Sequence, residues 1–322
     1  MARCAIMLSP VSGLAHAELA ALAHEAEDAG YWGVFVNEAI NDALMCSYAY
    51  ARATRRIRVG TWIVNIYLRQ PTLCAAAAEM VQDAADGRFI LGLGVSHRPA
   101  MSALGIQMGN AREHLRDYTG MLRRTLAGEP IGARAMRFRA PTTPIPIYYA
   151  ALALETARLG GELADGLMLH LCTPARLRMV IDAARTTTVK HGRSPSALAI
   201  THGMPVFMHD DLKTAYAAAR KGLAFYVALP YYNRLLARSG FAREAEAVME
   251  AAGRRDTGAM AAGVSDAMVD AVALAGPAAR CVERLAERGD DSAVTSIILP
   301  NPVGEDYAAC VRRLFKTFAA SN

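Results

Sequence analysis

The sequence lacks the features that mark membrane and exported proteins. Its longest apolar stretches, such as Leu73–Val81 and Ala215–Leu229, are interrupted by charged residues or are rich in alanine. A bilayer span needs roughly 20 consecutive apolar residues, and neither stretch reaches that length. The apolar run near the N-terminus is too short for the core of a signal peptide. We therefore predict a cytoplasmic protein with no membrane partner.

Cysteine is present, but it is not arranged as a ligand set or as a redox pair. The six cysteines are scattered, without a CxxC pair or another metal-ligand spacing: Cys4, Cys46, Cys74, Cys172, Cys281 and Cys310. This distribution favours reduced thiols that pack in the interior. The sequence therefore predicts no metal site, and only Cys172 lies among the candidate site residues named below.

A large excess of one charge is also missing. The chain has 35 Lys and Arg residues against 30 Asp and Glu residues, a net charge of +5. This excess slightly favours anionic small molecules, but it does not form the basic patch that nucleic-acid binding requires. We therefore predict a small organic molecule as substrate and no nucleic-acid partner.

What the sequence does contain is an alternation of short apolar runs with amphipathic stretches. Eight runs are predicted as strands: Cys4–Leu8, Gly33–Val36, Ile57–Trp62, Phe89–Leu93, Ile145–Tyr149, Gly166–His170, Leu198–Met208 and Thr295–Leu299. Continuous apolar strands are typical of a parallel sheet that is covered on both faces. Eight helical patterns alternate with these strands: Ala17–Ala29, Ala43–Ala53, Thr72–Ala85, Ala111–Leu126, Glu155–Leu163, Pro174–Lys190, Leu212–Ala251 and Pro277–Arg288.

This alternation predicts an α/β protein with a (β/α)8 TIM barrel. We expect one domain over residues 1–322, with a helical insertion at about 210–270, because that tract is longer than one crossover and holds more than one helix. An aldolase-type barrel would need a lysine at a strand end for a Schiff base. All four lysines, Lys190, Lys213, Lys221 and Lys316, fall on predicted helices or loops.

Polar residues gather at the ends of six predicted strands. In a barrel of this kind the loops at the carboxyl ends of the strands converge on one mouth, where the chemistry takes place. The polar residues at these ends are Ser9, Asn37, Glu38, Asn65, Tyr67, Ser96, His97, His170, Thr173 and Asn301. Their distribution predicts a shared pocket.

The stretch RFILGLGVSHRP, residues 88–99, passes abruptly from an apolar strand to small and polar residues. Gly92 and Gly94 have no Cβ atom, so the backbone there can approach a flat ligand closely. Alternatively, the two glycines relieve crowding inside the barrel. A Rossmann fingerprint is excluded, because no third glycine follows at the required spacing and no acidic residue follows on a second strand.

Three longer stretches carry a family resemblance. IRVGTWIVNIYLRQPTLCAAAAEMVQDAADGRFILGLGVSH from Ile57 to His97, PIPIYYAALALETARLGGELADGLMLH from Pro144 to His170, and VTSIILPNP from Val294 to Pro302 resemble the luciferase-like monooxygenase superfamily of flavin and deazaflavin enzymes. The resemblance implies a (β/α)8 barrel with coenzyme F-420 or FMN in its mouth. The segment NIYLRQP is more similar to the deazaflavin branch.

The resemblance also implies where the cofactor ring lies. Trp62, Ile63 and Val64 would form a bulge after the third strand that backs the ring, with a non-prolyl cis peptide bond within these three residues. Asn65, Gly94, Val95 and Ser96 would contribute to the same cofactor site.

Two segments are candidates for the cofactor phosphate. Ala150, Ala151 and Leu152 match the segment that offers backbone amides at a helix start, where an anion is favoured. The chain departs from the family there, because Ala153-Leu154 replaces a common Gly-Pro and Glu155 adds negative charge. The segment Leu171, Cys172 and Thr173 is the alternative, through the Thr173 hydroxyl or local amides, and Cys172 would simply pack beside them.

The second strand, YWGVFVNEA, lacks a common proton donor of the family, because Ala39 follows Glu38 where relatives often have histidine. Glu38, His97 and His170 are therefore the catalytic candidates for acid–base chemistry. The alternatives are an ion pair of Glu38 with Arg69 or Arg98, and a structural or phosphate-binding role for either histidine. Tyr67 and Arg69 would line the substrate side or form an exposed loop pair.

These expectations combine into an oxidoreductase that transfers hydride between coenzyme F-420 or FMN and a small organic substrate. One alternative is an FMN-dependent monooxygenase that uses molecular oxygen, and a second is a non-catalytic flavin-binding protein, because Ala39 replaces the usual histidine. A homodimer is expected, with the alanine-rich helix Thr72–Ala85 as a candidate interface.

Overall fold

The computed structural model describes residues 3–132, 135–288 and 294–319. Within these ranges there are ten strands: β1 Cys4–Met7, β2 Gly33–Val36, β3 Arg58–Thr61, β4 Val64–Asn65, β5 Phe89–Gly94, β6 Ile147–Ala150, β7 Gly166–His170, β8 Ala199–Met208, β9 Leu274–Gly276 and β10 Val294–Pro300. Each of the eight predicted strands is found within about two residues of its predicted ends. The short strands β4 and β9 were not predicted.

The α-helices in chain order are α1 His16–Asp28, α2 Ala43–Ala53, α3 Pro71–Ala84, α4 Arg98–Ala103, α5 Ala111–Leu126, α6 Leu154–Leu163, α7 Pro174–Lys190, α8 Leu212–Val227, α9 Pro230–Leu236, α10 Ala242–Gly253, α11 Thr257–Ala262, α12 Asp266–Val272, α13 Ala278–Arg288 and α14 Tyr307–Phe318. Short 3-10 turns occupy Pro10–Ser12 and Pro195–Ala197, and a π-helical turn occupies Ala237–Phe241. The tract predicted as Leu212–Ala251 is divided among α8, α9 and α10, as expected. Helices α4 and α14 were not predicted.

The strands form one sheet in the order β10-β1-β2-β3-β5-β6-β7-β8-β9, with β4 paired to β5. Strand β10 is parallel to both β1 and β8, through pairs such as Ala5 with Ile297 and Ser296 with His202. Leaving aside β4 and β9, eight parallel strands close the ring. The predicted (β/α)8 barrel is therefore confirmed.

Local sequence signals explain where several helices begin and end. Helix α1 buries Leu19, Leu22, Ala23 and Ala26, which recur at helical spacing. The chain leaves this helix through Gly30, whose φ of 79° lies in the left-handed region. Helix α2 begins where the Asp42 carboxylate accepts the N–H groups of Leu44 and Met45 at 2.9 and 3.1 Å. Pro71 opens α3.

The chain divides into two compact units. The first, here the 7–168 unit, comprises residues 7–168 and 183–199. It contains β2 to β6, and its core includes the fully buried aromatic side chains of Phe35, Tyr50, Phe89 and Tyr149. The Tyr149 hydroxyl donates to Thr119 Oγ1 at 2.6 Å, so its polar atom is paired within that core.

The second unit, here the 200–322 unit, comprises residues 1–6, 169–182 and 200–322. It contains most of β8, together with β9 and β10, and helices α8 to α14. Its core includes the buried side chains of Val206, Leu223, Val248 and Ile297. Helices α8 to α12 lie between β8 and β9, in the tract expected to hold a helical insertion.

No helix of the described ranges is long and apolar enough to cross a membrane. Cys4 is half-buried and the other five cysteines are buried, and no disulfide bond joins any two of these six described residues.

Candidate functional site

The segment predicted to back the cofactor ring begins where β3 ends. The peptide bond between Trp62 and Ile63 is cis, within the three residues where the family resemblance implies such a bond. The following strand β4 pairs with the end of β5, Val64 beside Leu93 and Asn65 beside Gly94. Backbone hydrogen bonds hold this segment on both sides, because Trp62 N–H donates to Val36 O at 2.7 Å and Ile66 N–H donates to Gly94 O at 3.0 Å. We call residues 62–65 the 62–65 segment.

Gly94 lies close to two other predicted cofactor residues, Ile63 and Ala150. A Cβ atom at Gly94 would lie 2.7 Å from Cδ1 of Ile63 and 3.2 Å from Cβ of Ala150. The missing side chain therefore makes room for Ile63, so the close approach predicted for a ligand is made here by the protein's own bulge. At Gly92 the alternative interpretation holds, because Thr61 O and Met168 Sδ would lie 2.3 and 2.5 Å from a Cβ atom.

Glu38 is engaged with the protein through both carboxylate oxygens. Its Oε2 accepts the N–H of Asn65 at 2.7 Å, and its Oε1 forms an ion pair with Arg69. Arg69 also contacts Asp42 Oδ2 at 3.3 Å. Burial lowers the pKa of the Arg69 guanidinium, but the neighbouring carboxylates of Glu38 and Asp42 outweigh it and leave the pKa raised. These contacts favour the alternative role of Glu38, as an ion-pair partner of Arg69.

Arg98, the other predicted partner of Glu38, donates instead to the carbonyl oxygen of Met108 at 2.6 Å. Tyr67, predicted on the substrate side, places its hydroxyl 2.9 Å from Nδ1 of His114. The Asn65 side chain is buried, and its Oδ1 accepts the N–H of Tyr67 at 3.0 Å. Asn65 therefore holds the turn that follows the 62–65 segment.

Val95, Ser96 and His97 follow β5 and are half-buried. Ser96 has φ of 57°, a left-handed conformation that few non-glycine residues adopt. His97 is the residue from which α4 starts, and burial lowers the pKa of its imidazole below the ordinary value. His97 is therefore neutral at neutral pH, which suits proton acceptance more than anion binding.

The predicted phosphate segment Ala150–Leu152 leads into α6. Ala153 precedes this helix without a side-chain cap, so the first turn is left to backbone N–H groups. Glu155, whose negative charge argued against an anion here, pairs with Arg158 and lies 3.6 Å from an Arg112 guanidinium nitrogen. These two arginines offset the carboxylate charge at the helix start.

The alternative phosphate segment belongs to the 200–322 unit. Leu171 has φ of 52° and is fully buried. Cys172 is also fully buried, and burial raises the pKa of its thiol to about 12. The Thr173 hydroxyl accepts the N–H of Arg176 at 3.3 Å and so caps the first turn of α7. Cys172 is thus an inert packed thiol, and Thr173 has a structural partner.

His170 ends β7 and lies among aromatic rings of two helices. Its ring centroid is 5.1 Å from that of Tyr226 and 5.7 Å from that of Tyr232, both in edge contacts. The two tyrosine rings are 5.4 Å apart. We call these three residues the His170 cluster. Burial raises the pKa of both tyrosines, so their hydroxyls remain protonated and able to donate.

Sequence reasoning missed Tyr226 and Tyr232. The stretch FYVALPYYN, residues 225–233, places three tyrosines in the tract predicted as an insertion. The three closely spaced tyrosines could have indicated that residues 225–233 contribute to the site as well as to the core. Among the described residues no group of three or more His, Cys, Asp or Glu side chains has the arrangement of a metal site.

A family model described as luciferase-like monooxygenase matches residues 6–296. The chain is 27% identical over 320 residues to 5,10-methylenetetrahydromethanopterin reductase of Methanolobus tindarius. The match covers 95% of each of the two chains.

Solved structures with similar folds include a deazaflavin enzyme and an FMN enzyme. The coenzyme F-420 dependent tetrahydromethanopterin reductase from Methanopyrus kandleri has a TM-score of 0.81 at 20% identity and covers 98% of both chains. The oxygenating constituent of 3,6-diketocamphane monooxygenase of Pseudomonas putida, in complex with FMN, has a TM-score of 0.69 at 15% identity and covers 100% of this chain and 98% of that one. At these identities the two structures show the fold alone.

Proposed function

Because the chain belongs to the luciferase-like monooxygenase family, we propose that it is an oxidoreductase that transfers hydride between coenzyme F-420 and a small organic substrate. The observation that carries the choice of cofactor is the end-to-end similarity to a methylenetetrahydromethanopterin reductase, 95% of each chain at 27% identity. The higher TM-score of the deazaflavin enzyme, 0.81 against 0.69 for the FMN complex, concerns the fold and agrees with that choice.

The residues present fit a flat redox ring and an anionic tail. Trp62, Ile63 and Val64 would supply an apolar wall beside Gly94, and the packing of Ile63 against Gly94 fixes that wall. The uncapped start of α6 supplies backbone N–H donors for a phosphate. When bound, the deazaflavin supplies two-electron hydride transfer, while the protein supplies position, dryness and charge.

We assign proton transfer to His170 and His97 and take Glu38 out of that role. The imidazole of His170 lies in edge contact with the rings of Tyr226 and Tyr232, at the end of a barrel strand where a proton donor to a reduced product would be needed. His97 is neutral because burial lowers its pKa, so it can accept a proton. The Glu38 carboxylate already serves Asn65 and Arg69 with its two oxygens.

The name of the matched relative suggests the first substrate to test, which is 5,10-methylenetetrahydromethanopterin. Purified protein is mixed with reduced coenzyme F-420 and this pterin without oxygen, and the visible absorbance of the oxidised deazaflavin is followed. Its return on mixing supports the proposal. A secondary alcohol with oxidised coenzyme F-420 tests the reverse direction on a simpler substrate.

An FMN-dependent monooxygenase is the second candidate, favoured by the family description and by the fold of the FMN complex. The same assay in air, with reduced FMN and a measurement of oxygen uptake, separates the two. Substrate-dependent oxygen uptake with FMN and no reaction with coenzyme F-420 would replace the first proposal. Binding of either ring without turnover of any substrate would leave the non-catalytic flavin-binding protein.

The protein is further proposed to be a homodimer that pairs through α2 and α3. Met45, Leu73 and Met80 lie on these two helices and are 67%, 63% and 60% exposed. The double substitution Leu73→Glu with Met80→Glu is expected to convert a dimer to a monomer in size-exclusion chromatography with light scattering. A wild-type monomer would contradict this part of the proposal. The cytoplasmic location stays a prediction.

A further inference from the structure

Glu38 was expected to be a catalytic carboxylate, yet its carboxylate oxygens contact Arg69 and the backbone of Asn65. We propose that this ion pair consists of two positioning residues, which hold the 62–65 segment in place for the cofactor ring, and that Glu38 is not a proton donor. The inference rests on the proposed function, because it takes the ring to lie against this segment.

The hydrogen bonds of the 62–65 segment show what Glu38 does. Strand β3 is paired to β2 as far as Thr61, which lies beside Val36. Beyond that point β2 has ended, and the N–H of Asn65 has no strand carbonyl on that side. Glu38 Oε2 accepts this N–H at 2.7 Å, in the position of the missing strand. The next N–H along, that of Ile66, returns to the sheet through Gly94 O at 3.0 Å.

Burial makes this carboxylate dependent on its partner. The Glu38 side chain is 2% exposed and that of Arg69 is 12% exposed. Removing one member of a buried ion pair leaves the other charge uncompensated, so the two residues act as a unit. Asp42 holds the outer side of Arg69 through Nη1 at 3.3 Å and is itself 45% exposed. Arg69 is therefore fixed from both sides, and it fixes Glu38.

The opposite end of β3 supports the same interpretation. Glu27 on α1 is also buried, and its Oε1 accepts the N–H groups of Arg55 and Ile57 at 2.9 and 3.1 Å, just before β3 begins. The chain thus uses a buried glutamate at each end of β3 to receive backbone N–H groups. Glu27 lies at the end away from the predicted site, so it is a matched control with the same chemistry.

The test uses the fluorescence of Trp62. The chain has two tryptophans, Trp32 and Trp62, so a Trp32→Phe protein reports on the 62–65 segment alone. In this background we compare Glu38→Gln, Arg69→Met, the double variant and Glu27→Gln, each without cofactor and then titrated with coenzyme F-420 and with FMN. Arg69→Gln also removes the charge while keeping a polar side chain, and it takes the place of Arg69→Met, with the same expected results, if Arg69→Met fails to fold.

Three results are expected together. Trp62 emission shifts to longer wavelength in Glu38→Gln and in Arg69→Met, and both variants weaken cofactor binding by at least about tenfold, as loss of a charged hydrogen bond allows. The double variant is no weaker than the weaker single variant, because the pair acts as a unit. Glu27→Gln changes neither emission nor affinity.

The inference is overturned if Glu38→Gln keeps normal emission and affinity but loses turnover, which is the behaviour of a proton donor. It is equally overturned if Arg69→Met changes neither quantity, or if Glu27→Gln gives the same emission shift. Failure of the proposed function looks different: the parent protein binds neither ring, while the emission of the cofactor-free variants still reports on positioning.

Discussion

The end of β2 and the end of β7 both carry a residue chosen from the sequence as a catalytic candidate, but the two surroundings differ. Glu38 lies in a network of ion pairs and backbone hydrogen bonds that occupies both of its oxygens. His170 lies among the rings of Tyr226 and Tyr232. The first arrangement holds the backbone, whereas the second surrounds an imidazole with aromatic rings. The position of a polar residue at a strand end therefore does not by itself tell a structural role from a catalytic one.

The largest expected effect comes from the His170 cluster. His170→Asn should lower kcat by about 10²–10⁴-fold, the usual contribution of a general acid or base, with cofactor affinity unchanged. Tyr226→Phe keeps the ring contact and removes only the hydroxyl, so it should lower kcat less. Stopped-flow measurement of turnover at saturating cofactor gives the rates of both variants. Normal kcat in His170→Asn would place His170 with Glu38 as a structural residue.

A backbone substitution near the Glu38 network sharpens the other side of the comparison. Gly94→Ala places a Cβ atom 2.7 Å from the Ile63 side chain, so Ile63 must move. We expect the free energy of unfolding to fall by about 1–3 kcal/mol, as for overpacked cores, together with weaker cofactor binding.

Gly120→Ala is the matched control, because no heavy atom lies within 4 Å of a Cβ at that helical position. It should raise the free energy of unfolding by about 0.4–1 kcal/mol. Urea unfolding measures the free energy of unfolding of both variants. Equal changes in the two variants would show that the contact between Gly94 and Ile63 does not affect stability.

The next effect concerns pH and the histidine buried near His170. His202 is 3% exposed, and burial, Arg288 and His170 lower its pKa to about 3. The unfolded chain binds a proton on this group below about pH 6.5, while the folded chain does not. Above about pH 6.5 His202 is neutral in both states and does not lower the free energy of unfolding. As the pH falls below 6.5 the unfolded chain takes up the proton first, so the free energy of unfolding falls, by about 2 kcal/mol at pH 5.

Unfolding free energies of the wild-type protein and of His202→Gln at pH 7.5 and pH 5 measure this term. The difference between the two pH values should be smaller in the variant. An unchanged difference would show that His202 takes up its proton without unfolding.

The smallest effect tests whether Thr173 caps a helix or binds a phosphate. The Thr173 hydroxyl accepts the N–H of Arg176 at the start of α7. Thr173→Ala should lower the free energy of unfolding by about 1 kcal/mol, and Thr173→Ser should restore it. Cofactor affinity should stay the same in both variants by isothermal titration. A large loss of affinity in Thr173→Ala alone would move the phosphate from the start of α6 to this segment.

Much of the fold was predictable because its signals are local. The apolar runs gave the eight strands, and Asp42, Pro71 and Gly30 mark helix ends through their own backbone chemistry. The same holds for α14, which was missed although its buried residues Cys310, Val311, Leu314, Phe315 and Phe318 recur at helical spacing.

The partners of the site residues were less predictable because they come from distant positions. Arg69 lies 31 residues from Glu38 along the chain, and the sequence offered Arg98 equally. Tyr226 and Tyr232 reach His170 from α8 and α9, whose packing no periodicity specifies. The crowding at Gly92 by Met168 likewise depends on the pairing of strands and not on the glycine itself.

The central claim is that a redox ring lies against the 62–65 segment, and one titration tests it directly. Trp32 precedes β2 and Trp62 follows β3, at opposite ends of two paired strands, so proteins that keep only one tryptophan report on different ends. Coenzyme F-420 should quench Trp62 emission saturably in Trp32→Phe, and should quench Trp32 in Trp62→Phe less. If neither coenzyme F-420 nor FMN quenches Trp62 more than Trp32, the ring does not lie there and the account is wrong.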